Sequence, residues 1–476
     1  MRHLIVSLYV LASGFSPCFA QKTLLSEAVD FNIRRDDFYI LGPWNGQTAV
    51  YVRNNDAFNI VCYGAEGQVL KTWPLTAIQS PCDQVRLTIC SNTIVITWEK
   101  IENKKKWVYG SQLRSDGSMS PVKELFSVAH TSFRKTELMY AVSPDKRHQV
   151  VFHANREDGI TEIQAHVWDE NLQVSRRITQ KIALEDFELT DVLHISNLGN
   201  LYLLASETPN SRGNLEGVRL LANTAKESEF KSFEVPLNKH SIVQPGIYED
   251  AVNTNIYICG YYGDGKFTSP KGLFFTVFDE EQQAATASHF TPIAMQVTGY
   301  KADLRDMKIK DVVIKKDGGP ELITERTYQN TRTLVSNNPA LSTSYMPLPE
   351  TTRTVNEFYY DELAIFNLKA DGTLVWNQVI LKEQMTTEDS GIYSSYGFLN
   401  YPKGHVFLFN DFGSKRSRLM AAYLSAKGEH QIKEVQTREA IDEWDLLPRS
   451  AIQTAKSEIW IPALRKGSLC FFRMQF

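Results

Sequence analysis

The chain has few cysteines, no long apolar run after its start, little net charge and hardly any helical periodicity, and each shortage excludes something. Six cysteines fall among 476 residues, and none stands in a CxxC or Cys/His ligand spacing. A structural zinc site is therefore not expected, since tetrahedral sites need such closely spaced pairs. Beyond the N-terminal segment no stretch approaches the roughly eighteen consecutive apolar residues that a membrane-spanning helix requires. A net charge of −4 lacks the basic excess of a nucleic-acid binder. GxSxG, HExxH, P-loop and strand-linked GxGxxG motifs are also missing, so neither a metal nor a cofactor is expected.

What is present begins with an export signal. Met1-Arg2-His3 supplies a charged start, Leu4 to Ala12 is mostly apolar, and Phe19-Ala20-Gln21 ends on a small residue. Cleavage after Ala20 would leave residues 21–476 in the periplasm, at the cell surface or secreted, with no transmembrane segment. Cys62, Cys82, Cys90, Cys259 and Cys470 remain after that cleavage. Four of them lie in apolar strand runs, whereas Cys82 sits in a loop from which it could bridge to Cys62 or Cys90.

From Phe38 onward, short strands bounded by turn residues recur in groups of four. The first group is Phe38 to Leu41, a turn at Asn45-Gly46, Gln47 to Arg53, Phe58 to Tyr63, a turn at Glu66-Gly67, and Val69 to Leu75. Further groups run over 85–128, 136–182, 189–237, 242–293, 307–380 and 393–435. A last group, Trp444 to Phe476, has room for only three strands. A period near fifty residues of antiparallel strands predicts an all-β fold, a β-propeller of about eight blades, with seven or six if boundaries shift. The mature N-terminal segment Leu24 to Ile33 is the natural donor of the missing outer strand. An outer-membrane β-barrel is the competing architecture, because the chain ends in the aromatic strand Leu469 to Phe476. Strands of five to eight residues with charges on both faces argue against it. Helical pattern is confined to Leu184 to Leu189 and Thr437 to Trp444.

Candidate sites follow from this grammar. Loops joining second to third strands share one face of a propeller with the connections between blades. Here they carry Lys104-Lys105-Lys106, Lys266, Lys271, Lys415-Arg416, Arg418 and Arg465-Lys466, while the opposite face carries Glu66, Asp169-Glu170 and Asp279-Glu280-Glu281. A basic face attracts anionic partners, although solvated turns are charged by default. The largest departure from the repeat is an insertion over about 328–357, rich in Thr, Ser, Asn and Pro. Arg326, Tyr328, Tyr359, Tyr360 and Asp361, with Tyr393 and Tyr396 opening the next blade, are the candidate ligand-binding residues. The alternative is a tether whose tyrosines pack on blade six. His153 and His166 sit in strand runs and could face one another across a hairpin, although structural histidines account for such positions more often than metal pairs.

The segment Tyr359-Tyr360-Asp361-Glu362-Leu363-Ala364-Ile365-Phe366, with Asp371-Gly372-Thr373-Leu374-Val375-Trp376 and Asp389 to Tyr396, resembles secreted propeller-like proteins of Gram-negative bacteria. That resemblance implies the fold and brings no activity with it. Sialidase Asp boxes, repeated WD dipeptides and kelch double glycines are absent. The expected function is an exported, non-catalytic binding or scaffold protein that uses one propeller face for a glycan, peptide or other anionic partner. The alternative is a carbohydrate-active enzyme, a glycoside hydrolase or lyase, on the same scaffold.

Overall fold

The computed structural model describes residues 22–130, 136–207, 214–280, 282–286, 288–297, 300–336, 351–413, 417–435 and 443–476. The segment read as an export signal lies outside them. Eight antiparallel sheets follow one another along the chain, seven of them four-strand meanders with occasional short additions and the eighth completed by an N-terminal strand, beside a small two-stranded ribbon at Met295–Val297 and Tyr300–Ala302. First strands of neighbouring sheets touch one another, and the first strand of blade eight, Ile452–Ala455, meets that of blade one, Asp37–Trp44. The sheets therefore stand as blades around a common axis, an eight-bladed β-propeller, and no barrel forms.

Burial along each blade explains its sequence. Middle strands are covered on both faces by neighbouring blades and read as near-continuous apolar runs, as in Asn255–Gly263 and Gly404–Asp411. Outer strands have solvent beside them and alternate, as Val174–Ala183 does. The buried side chains fall into eight apolar clusters, one in each blade–blade interface. Burying each Leu, Ile, Val or Phe there contributes about 1.5–3 kcal/mol, so every interface outweighs any single polar contact. Asn45-Gly46, with φ of 50° and 77°, makes the first hairpin turn in the left-handed region that these two residues tolerate.

Closure follows the expected route. Lys22–Leu25 pairs with the last strand, Ser468–Gln475, in the register Lys22 to Gln475 and Leu25 to Phe472, and Val29–Asp30 continues it. Ser26 both donates its N–H to the Phe471 carbonyl and accepts the Phe471 N–H at Oγ, each at 2.9 Å. Phe31 is buried against blades one and eight, whereas Ile33, at the end of the expected donor, is 47% exposed. One sequence expectation fails. Leu184 to Leu189 is a turn leading into the strand Phe187–Ile195, because Glu185 takes a left-handed φ of 49° that a helix cannot contain. Most of Thr437 to Trp444 lies outside the described residues.

Candidate functional site at the channel mouth

Blade six builds the most distinctive part of the molecule. Its second and third strands, Pro320–Ser336 and Thr351–Leu368, are 17 and 18 residues long, about twice the length of their counterparts. The described part of the insertion read at 328–357 is thus a β-ribbon that prolongs the blade; residues 337–350 lie outside the described residues. Its Thr, Tyr and Val content suits strand as well as loop, which is why composition alone reads it as loop. Where the ribbon leaves the blade, Glu325 pairs with Leu363 and Thr327 with Tyr360, so Arg326 faces both Asp361 and Glu362 across a β-bulge. Bulges redirect side chains. The connection to blade seven then adds Met385–Thr387 against Glu357 to Tyr359.

This arrangement divides the seven candidates. Arg326 is buried and fully occupied: Nε lies 2.9 Å from Glu362, Nη2 donates to the Asp303 carbonyl at 2.7 Å, and Nη1 donates to the Arg305 carbonyl. It locks the bulge. Tyr328 and Tyr359 stack with ring centroids 4.6 Å apart and planes 6° from parallel. Burial, together with the neighbouring Asp361, pushes the Tyr328 phenol up to about 12. Burial likewise raises the Asp361 carboxyl above its ordinary value, against the Tyr328 hydroxyl that bonds to it, and Asp361 Oδ1 is buried without a hydrogen-bond partner. Tyr360 accepts a hydrogen bond from Arg449 Nη1 at 3.3 Å, and Lys310 Nζ lies 6.0 Å from its ring centroid. Tyr396 is 6% exposed, donates to Asp311 Oδ2 at 2.7 Å and packs in the interface of blades six and seven. Tyr393, three residues away, is half-buried and faces a different cleft.

The residues around Tyr360 point to a site that the sequence reading missed. A cleft of about 400 Å³ opens among the first strands of blades six, seven and eight, lined by Lys310, Asp311, Tyr396, Phe398, Arg449 and Gln453. The nearby carboxylates are engaged by the protein's own donors. Asp311 takes the Tyr396 hydroxyl, and Glu325 takes Ser395 Oγ at 2.7 Å and Lys382 Nζ at 2.8 Å. Two cations remain at the cleft. Lys310 Nζ is 3.9 Å from the already shared Glu325, and Arg449 donates to Tyr360 Oη and the Ser390 carbonyl. Burial holds the Lys310 ammonium below its usual range; Glu325 opposes that, and Lys308 and Arg449 reinforce it. The sequence signal was a Lys-Asp pair inside an inner strand, Met307–Ile314, but nothing local says that such a strand lines the channel.

Other candidates resolve into structural roles. His153 Nδ1 contacts the Glu137 carbonyl at 3.0 Å and His166 Nδ1 the Leu125 carbonyl at 2.7 Å, so each ring serves its own backbone partner. Among the described residues no group of three His, Cys, Asp or Glu side chains is arranged to hold a metal ion. Several cations of the basic face are paired locally: Lys106 with Glu99 at 2.6 Å, Arg465 with Glu443 at 2.6 Å, and Lys271 with Asp264.

Comparison with protein-family models and with curated protein sequences gives no match. Among solved structures, the chain is similar to a prolyl endopeptidase at 11% identity, covering 86% of this chain and 59% of that one, with a TM-score of 0.36. It is similar to the polysaccharide lyase Uly1 at 14% identity, covering 83% and 90%, with a TM-score of 0.39. The β-propeller domain of the Trilobed protease from Pyrococcus furiosus shares 11% identity over 83% and 94%, with a TM-score of 0.34. The chain spans less than two thirds of the prolyl endopeptidase. The blade topology, rather than these likenesses, defines the fold.

Proposed function

We propose that this chain is an exported binding protein, without turnover, that takes an anionic ligand at the channel mouth between blades six, seven and eight. The observation that carries this reading is the convergence of Lys310 and Arg449 on one open cleft whose lining carboxylate, Asp311, takes the Tyr396 hydroxyl while the neighbouring Glu325 is paired with Lys382. Two neighbouring cations in a partly buried cleft repel one another, and an entering anion relieves that repulsion. Tyr360 and Phe398 supply apolar faces beside them. Export rests on the Met1 to Ala20 signal, and the likeness of 359–376 to secreted propeller-like proteins of Gram-negative bacteria fits a periplasmic, surface or secreted location.

The test is calorimetric titration with D-galacturonate, a carboxylate-bearing sugar. Arg449→Gln should weaken binding about tenfold, as expected for a charge-assisted contact. Unchanged affinity in that variant would remove the reading. N-terminal sequencing of the exported protein should begin at Gln21.

A second reading, catalysis on a glycan, has one observation in its favour. Asp361 has its carboxyl raised by burial, which is what a general acid needs. A partner carboxylate across a sugar bond is what the reading lacks, since Glu362 serves Arg326 and Glu325 serves Lys382. Product release from a polyuronate that disappears in Asp361→Asn would favour it over binding alone.

A further inference from the structure

A second cleft lies on the same face, beside the first. About 550 Å³ in volume, it is lined by Phe31, Arg34, Tyr393, Asp445, Arg465 and Lys466. Two chain segments wall both clefts. In one, Tyr393 faces the second cleft while Ser395 and Tyr396 face the first; in the other, Asp445 faces the second and Arg449 the first. Asn410 Nδ2 ties these walls together by donating to the Tyr393 and Leu446 carbonyls, each at 2.9 Å. The clefts are thus back to back across one braced ridge. Two positions of chain separate the linings in one wall and four in the other, so the Cα atoms of Tyr393 and Ser395 are at most about 7 Å apart.

The second cleft repeats the chemistry of the first. Arg34 and Lys466 bring two exposed cations, and Arg465 a third whose partner Glu443 is solvent-exposed, a pairing of little energetic consequence. Asp445 is the single carboxylate in its lining. Tyr393 offers a half-buried ring beside these charges. One small anion can fill one cleft, whereas a chain with regularly repeated charges can fill both, and linking the two events raises affinity without any new contact.

We propose, building on the channel-mouth reading above, that the ligand is a polyanionic polysaccharide, a polyuronate, which crosses the ridge and places acidic units in both clefts. A sugar chain is favoured over an acidic peptide by what flanks the site. The adjoining ribbon exposes Gln329, Asn330, Thr331, Thr333 and Thr354, hydroxyl and amide groups suited to a hydroxyl-rich partner, and the rings of Tyr393 and Phe398 suit sugar faces.

The experiment compares galacturonate monomer with its hexamer by calorimetry, using wild type, Arg449→Gln and the double variant Arg34→Gln/Lys466→Gln, with melting temperatures recorded beside each. The hexamer should bind wild type at least about tenfold tighter than the monomer. The double variant should bring hexamer affinity back toward that of the monomer, and Arg449→Gln should weaken both. A hexamer that binds no tighter than the monomer, or whose advantage survives the double variant, overturns the two-cleft inference and leaves the channel-mouth reading standing. Arg449→Gln with both affinities intact overturns the two together. Hexaglutamate binding as tightly as the uronate hexamer overturns the assignment to sugar.

Discussion

Lys382 and Glu325 form an ion pair, Nζ to Oε1 at 2.8 Å, in which neither side chain has any solvent exposure. The Lys382 ammonium also donates to the Tyr360 carbonyl at 2.9 Å and to Gln384 Oε1 at 2.8 Å. It therefore anchors the base of the blade-six ribbon to the connection entering blade seven. Burial pushes the Lys382 ammonium below its ordinary value, and Glu325 opposes that shift. Removing one partner of such a pair strands a buried charge. Lys382→Met should cost about 3–5 kcal/mol in urea unfolding, and adding Glu325→Met should recover a large part of it.

Tyr359 and Tyr396 should respond differently to truncation. Tyr359 lies on the ribbon with its ring on Tyr328, and losing that stack should cost about 1 kcal/mol. Tyr396 is a core residue of the interface between blades six and seven, with its hydroxyl on Asp311. Tyr396→Ala should cost about 3–5 kcal/mol, comparable to truncating a buried Phe. Melting temperatures of the two variants would check this, and equal losses would contradict the placement.

Acid should loosen the closing blade through Glu458. Burial raises its carboxyl, but donation from Arg473, Thr454 and Trp460 outweighs burial and holds it below the ordinary value. A carboxyl depressed in the folded state stabilises above its unfolded value, about 4.3, and loses that contribution as pH falls through the folded value. Glu458→Gln should therefore cost about 1.5–3 kcal/mol at pH 7, a penalty that shrinks steadily below about pH 4. Denaturant titrations at both pH values measure it.

Thiol chemistry should single out Cys82. All five described cysteines are free, and no bridge joins Cys82 to Cys62 or Cys90. Cys62, Cys90, Cys259 and Cys470 are buried, and burial pushes the Cys62 and Cys90 thiols up to about 11. Cys82 is partly exposed, so although burial raises its thiol as well, accessibility is what sets it apart. A thiol reagent at pH 8 should label one cysteine of the native protein quickly and all five only after unfolding.

The blades and their closure were legible because each rests on local chemistry. Asn45-Gly46 and Glu66-Gly67 announce turns wherever the chain later packs, and a last repeat lacking one strand announces its need for a donor. The seven candidate residues were legible only as a neighbourhood. Composition could not tell ribbon from loop at 328–357, since a strand of Thr, Asn, Tyr and Arg with solvent on its faces carries no apolar period to read.

Strand grammar is written in contacts between residues close in sequence, so the chain alone indicates a propeller of about eight blades and a shared outer strand, and the structure sets the number at eight. The site depends on how blades meet around the axis. Lys310 and Arg449 come from blade six and the start of blade eight, and only the packing of blades six to eight sets them in one cleft. Tyr393 and Tyr396 are alike in type and three positions apart, yet Tyr393 is half-buried beside one cleft while Tyr396 fills an interface and shows only an edge to another. Which way a side chain points within its strand follows from period two, but what lies opposite is set by the neighbouring blade, and that pairing is long-range.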